Sequence, residues 1–141
     1  MKILCIDYGM KRIGLAASDP TGTISSPFMT ILNKGTAKNI AALEQIIAKE
    51  RVDMVVLGLP LKSNNEETQM SGLVRKFGTE LETKLNIRVD YVNEHYSSKD
   101  AEEHIRQNFG INNHKRVAEL VDKVAASMLL YDYINLTKEK K

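Results

Sequence analysis

The chain has 141 residues, the length of one globular domain, and its 43% hydrophobic and 27% charged residues exclude a disordered chain and leave no room for two large lobes around a cleft. A net charge of +2 is too mild to demand a nucleic-acid partner by itself, though it allows local basic patches beside acidic ones. The apolar runs fall far short of the ~20 residues of a membrane helix, no secretory leader is expected, and the single cysteine, Cys5, excludes an intramolecular disulfide, so a reduced cytoplasmic protein with a buried thiol is expected.

Residues 2–7 (KILCID) are apolar and β-branched enough for a buried strand that ends on an acid, Asp7. Tyr8-Gly9-Met10-Lys11 reads as a tight turn into a second strand at 12–18 (RIGLAAS). Asp19-Pro20-Thr21-Gly22 is a second turn, and 23–32 returns as a third strand interrupted at Pro27. Short turns make these three strands antiparallel neighbours. The period then changes: Ile40, Leu43, Ile46 and Ile47 share one helical face, with Thr36 placed to cap it. Residues 52–59 (VDMVVLGL) form the continuous apolar run of a strand buried on both faces of a parallel sheet. After a loop at 60–65, a helix starting near Glu66 carries Met70, Leu73, Phe77, Leu81 and Leu85. A fifth strand at 87–92 has Arg88 and Asp90 as outer charges. Ser97 or Ser98 can cap a helix bearing Ala101, Ile105 and Phe109 and stopping near Gly110. A last helix over 115–136 has Val117, Leu120, Val121, Val124, Met128 and Tyr131 as its stripe, and 137–141 form a solvated basic tail. The order βββαβαβαα predicts a single α/β domain: a mixed five-stranded sheet, an antiparallel meander followed by parallel strands, flanked by helices. That is the layout of a ribonuclease H-like fold, shared in large part by other α/β folds.

Ligand sites in such sheets form at the carboxyl edges of the strands. Three acids fall at suggestive places: Asp7 closing the first strand, Glu94 just past the fifth, and Asp122 on the flank of the last helix's stripe. Each has a plainer reading: Asp7 can cap its own turn, Glu94 can be solvated loop surface, and Asp122 can pair with Lys115, Arg116 or Lys123. Converging, they would repel one another unless cations neutralise them, and hard oxygen-rich sites suit Mg²⁺ or Mn²⁺. Two such ions can activate water and stabilise the leaving oxygen of a phosphodiester. His95, His104 and His114 have no regular zinc-ligand spacing, and Cys5 has no evident activating base. His95 can orient a water, contact phosphate or simply be an exposed loop histidine. Lys62, Ser63, Asn64 and Asn65 follow a buried strand and offer donors of the kind that contact sugar and phosphate. An ordinary βα loop has the same look.

The segment Ile6-Asp7-Tyr8-Gly9-x-Lys11-Arg12-Ile13-Gly14-Leu15-Ala16-x-Ser18-Asp19 closely resembles the first motif of the YqgF (RuvX) family of Holliday-junction-resolvase-like nucleases. Gly58-Leu59-Pro60-Leu61 resembles its second motif, Asn93-Glu94-His95-Tyr96-Ser97-Ser98 stands where it has an acidic loop, and Val121-Asp122-Lys123-x-Ala125-Ala126 resembles its C-terminal helix motif. The four occur in the family's order over nearly the whole chain. The resemblance implies a ribonuclease H-like fold and a divalent-metal site, Mg²⁺ or Mn²⁺ and two ions by analogy, held by Asp7, Glu94 and Asp122. It implies a cytoplasmic nuclease that processes the 5′ end of the small-subunit ribosomal RNA precursor, with Holliday-junction resolution as the other phosphodiester reaction. Lys11, Arg12, Lys62, Asn64, His95 and Lys115 are the candidate contacts to nucleic acid. Structured RNA or branched DNA and ribosomal particles are the expected partners, with no membrane, for a monomer or a homodimer. Two places depart from the family's pattern. Its loop motif reads Asp-Glu-Arg where this chain has Asn93-Glu94-His95, and its Asp-Gly-Thr-like turn is replaced by Ser63-Asn64-Asn65-Glu66. Two other classes share these features: a non-catalytic protein binding structured RNA or the ribosome, and an actin-like ATP-binding module, whose phosphate hairpin also begins Asp-x-Gly.

Overall fold

The computed structural model describes residues 1–94 and 114–139. The elements run β1 (Ile3–Tyr8), β2 (Arg12–Ser18), β3 (Ser25–Leu32), α1 (Thr36–Glu50), β4 (Met54–Leu59), α2 (Gln69–Leu85), β5 (Arg88–Asn93) and α3 (His114–Glu139). The helix expected between Ser97 and Gly110 lies outside the described residues. The five strands form one sheet in the order β3-β2-β1-β4-β5. The β1–β2 and β2–β3 pairs are antiparallel, and the β1–β4 and β4–β5 pairs are parallel. The expected mixed sheet with its meander and crossovers is therefore the one observed.

Alternation along the strands divides the core into two layers. Leu4 and Ile6 of β1, Ile13 and Leu15 of β2, and Val55 and Leu57 of β4 pack against Ile40 and Leu43 of α1 and Val74, Phe77 and Leu81 of α2. Ile3 and Cys5, Ala16, Met54 and Val56, and Val92 face the other way, against Ala126, Leu129, Leu130, Tyr133 and Ile134 of α3. All six residues of β4 are buried, because helices cover both of its faces. That is why its sequence reads as an uninterrupted apolar run.

Several local expectations are corrected. Thr36 is the first residue of α1 and not its cap. The chain enters through Gly35 at φ 99°, a left-handed conformation that disfavours a side chain, and the Asn39 side chain accepts from the Lys34 N–H at 3.0 Å. α2 begins at Gln69 and not near Glu66. Residues 62–66 are closed into a turn by Lys62 N–H donating to Glu66 O, and Thr68 forms a reciprocal capping box with Ser71. Leu73 is 41% exposed and Tyr131 60% exposed, each about 100° off its helix's buried stripe. In α3 that stripe runs through Leu129, Leu130, Tyr133 and Ile134. Asp90 is not an outer charge: it accepts a 2.7 Å hydrogen bond from the Tyr133 hydroxyl, on the α3 side of the sheet. The helix continues to Glu139, into the stretch expected as tail.

Candidate active site

Asp7 stands two residues beyond Cys5 on β1, so strand alternation places it on the α3 face at the carboxyl end of the strand. Glu94 follows β5, and its N–H donates to Leu59 O at 2.9 Å, extending the β4–β5 ladder by one step. Two residues beyond Val92, it shares that face. Asp122 comes from α3 and needs that helix to reach the sheet closely. Gly14 permits this. It is the residue paired with Asp7 across the β1–β2 ladder, and a Cβ built on it would lie 2.0 Å from the Asp122 carbonyl oxygen. The helix backbone at Asp122 therefore rests on β2 beside Asp7.

The electrostatics register this convergence. Asp7 keeps some surface, yet its carboxyl group lies deep. Burial, and then the charges of Glu94 and Asp122, push its pKa up from 3.8 to about 8. Burial also raises Glu94 above the usual carboxylate range. Behind them, burial first, then Asp7 and Glu94, drive the Cys5 thiol well above its ordinary value, so it is an inert core group. Asp122 accepts a 2.7 Å hydrogen bond at Oδ2 from Arg12 Nε. That partner is a strand residue from across the fold, 110 positions away in sequence.

Three carboxylates with hard oxygen donors fit Mg²⁺ or Mn²⁺ by chemistry, and a deep acid whose pKa is raised by burial and then by two other acids marks where a cation's charge would be most welcome. The side chains stand open: among the described residues no three His, Cys, Asp or Glu groups form a ready-made metal-binding set. Asp7, Glu94 and Asp122 would have to draw together around an ion.

The rim of the site is built from two loops. Lys11 is exposed at the β1–β2 turn, which is fixed from behind: Asn33 donates its N–H to Lys11 O at 3.0 Å and its Nδ2 to Gly9 O at 2.9 Å, and Asn39 Nδ2 donates to Asn33 Oδ1. Lys62 and Asn64 are exposed in the loop after β4. The Asn64 side chain accepts from Glu66 N–H at 3.1 Å, which shapes the turn and leaves Asn65 at φ 67°. Asn65 Oδ1 in turn accepts from Asn93 Nδ2 at 2.9 Å, tying this loop to the end of β5 beside Glu94. Arg12 is partly buried against Asp122 and not projected outward like Lys11. Lys115 falls in the first turn of α3, its side chain outside the described residues, and His95 is likewise outside them. Sequence reading missed Asn33 and Asn39, and it missed the supporting roles of Gly14 and Asn65. A glycine inside an apolar strand and an asparagine on the apolar face of α1 were the available signals.

A family model described as "RuvX: Holliday junction resolvase" matches residues 1–136. A protein of Mycoplasma mobile named "Putative pre-16S rRNA nuclease" is 36% identical over 146 residues, covering 99% of this chain and 97% of its own length. A relative of the same name from Endomicrobium trichonymphae is 34% identical, with 99% of each chain covered. Among solved structures, Thermus thermophilus RuvC superposes with a TM-score of 0.58 at 12% identity over 99% of this chain and 97% of that one. The fowlpox virus resolvase in complex with Holliday junction DNA gives 0.57 at 14% identity, covering 97% and 99%. These likenesses carry the fold, which is the ribonuclease H-like one.

Proposed function

This chain belongs to the RuvX family, and we propose that it is a divalent-metal-dependent nuclease hydrolysing phosphodiester bonds at the 5′ end of the small-subunit ribosomal RNA precursor, in the cytoplasm. The observation that carries the reading is that Asp7 is buried at a sheet edge within reach of the charges of Glu94 and Asp122, burial first and then those charges pushing it to about 8. These three residues would hold one or two Mg²⁺ or Mn²⁺ ions. Bound there, such ions supply Lewis-acid stabilisation of charge developing on the scissile phosphate and lower the pKa of the attacking water. The protein's own part is positional. β1 and the extension of β5 fix two acids on a rigid sheet, and α3 brings the third. Lys11 and Lys62, exposed on the flanking loops, grip the phosphate backbone, with Asn64 beside them, His95 next to Glu94 in sequence and Lys115 in the first turn of the helix that carries Asp122. Maturation of the rRNA precursor is supported by the name its full-length relatives carry.

The test is a cleavage assay of the wild type and Asp7→Asn on a ribosomal RNA precursor fragment and on a four-way DNA junction, each with Mn²⁺, Mg²⁺ or EDTA. The expected result is metal-dependent cutting of the RNA that falls at least 10³-fold in the folded variant, in the range seen when a single essential catalytic group is removed. Preferential cutting of the junction would move the substrate to DNA. Tight RNA binding that survives EDTA, with no cutting when metal is restored, would replace the nuclease by a binding protein.

A further inference from the structure

Arg12 and Asp122 are 110 residues apart in sequence, yet Nε meets Oδ2 at 2.7 Å, with the two side chains only 28% and 20% exposed. Arg12 stands two residues before Gly14, so both lie on the α3 face of β2. One strand thus does two things to one residue of α3: Gly14 seats its backbone, and Arg12 pins its carboxylate. We infer that Arg12 is a positioning residue, which orients Asp122 toward the acidic site and balances its charge, and not a cation that grips the substrate.

Three features of the contact argue for this. Nε–H donates along a fixed direction in the guanidinium plane, so the contact orients a carboxylate where a lysine would only attract it. A backbone-gripping cation works from an exposed position, and Lys11, the adjacent residue, has one. Asp122 also lies within reach of Asp7, on which its charge acts, and its backbone rests on Gly14 beside that residue; a partly buried carboxylate in such company is destabilising without a cation. With Oδ2 held by Arg12, Oδ1 would be the oxygen left for a divalent ion. The inference rests on the nuclease reading for its consequence in turnover, whereas the Arg12–Asp122 coupling is measurable without any reaction.

The experiment compares wild type, Arg12→Lys, Arg12→Gln, Asp122→Asn and the Arg12→Gln/Asp122→Asn double variant. In EDTA, urea unfolding of the four members of the Gln/Asn cycle should show coupling of about fivefold or more in the unfolding constant, because removing either partner strands the other. RNA affinity in EDTA should stay within about twofold for both Arg12 variants, and its salt slope should not change, since no phosphate contact is lost. With Mn²⁺, turnover should fall about tenfold or more at little-changed KM. Arg12→Lys should recover the folding stability and not the turnover, which a purely structural ion pair would not do. Absence of coupling, or loss of RNA affinity with a shallower salt slope, or full turnover in Arg12→Lys, would each overturn the inference. If the wild type itself cuts nothing while the coupling persists, the nuclease reading fails and the positioning contact stands.

Discussion

Asp7 is stabilised by its proton and needed for its charge, and that conflict sets its pH behaviour. Its folded pKa of about 8 lies above the 3.8 of the unfolded chain. Folding therefore favours the protonated form: its contribution is fully present below about pH 4 and is lost as pH rises toward 8. Asn mimics the protonated acid without the penalty of ionisation. Asp7→Asn is expected to be more stable than wild type at pH 7 by roughly 2–4 kcal/mol, with the gap closing near pH 4. Metal-free urea unfolding across that range checks this, and a variant no more stable than wild type at pH 7 would refute it. Gly14 makes the opposite prediction. Gly14→Ala puts a methyl into the Asp122 backbone, which cannot move without lifting α3, so a loss of roughly 3 kcal/mol or more is expected by chemical denaturation. At this scale the position of Asp7 was legible, because a carboxylate at the end of an apolar strand stands out. Gly14 and Arg12 were not, because what they do depends on a helix more than 100 residues downstream.

At the scale of elements, α3 is the piece on which the site depends, and the Tyr133 hydroxyl on Asp90 anchors it to β5. Burial, and then the bond and charge of Asp90, push Tyr133 up to about 12 from 10. A raised pKa contributes stability that is intact below about pH 10 and lost as pH rises through 12, so this anchor holds across the neutral range. Tyr133→Phe should cost about 1 kcal/mol, rising toward 3 if the half-buried Asp90 finds no other donor. Thermal unfolding reads the cost, and hydrogen exchange should show the loosening concentrated in α3 and β5. The strands were legible from period and turn residues, and β4 most of all. Helix starts were less so: α1 and α2 are begun by Gly35, Asn39 and the Thr68–Ser71 pair, whose roles lie in backbone geometry and not in hydrophobic spacing. Leu73 and Tyr131 misled for a related reason, since a large apolar side chain one step off the stripe reads like part of it.

For the whole molecule, the sheet order puts β1 at the centre between β2 and β4 and leaves β3 and β5 as edges. The mixed topology could be read from turn lengths and the change of period, since two hairpins followed by crossovers leave few alternatives. Convergence of the three acids could not, because it requires the distance between strand ends and a helix. Their shared charge makes a global prediction: Mn²⁺ should stabilise the wild type by about 1.4 kcal/mol at tenfold over its Kd, and EDTA should reverse this, while Asp7→Asn should respond far less. A calorimetric scan with and without metal measures both. The seating of Asp122 on Gly14 also has a consequence in time. During synthesis β1 and β2 leave the ribosome early, carrying Asp7 and Arg12, while their partner on α3 follows some 110 residues later. Until then the acids have no third member and Arg12 has no carboxylate to hold. On the proposed nuclease reading, a half-made chain still tethered to the ribosome would therefore lack part of its cutting centre until α3 is made.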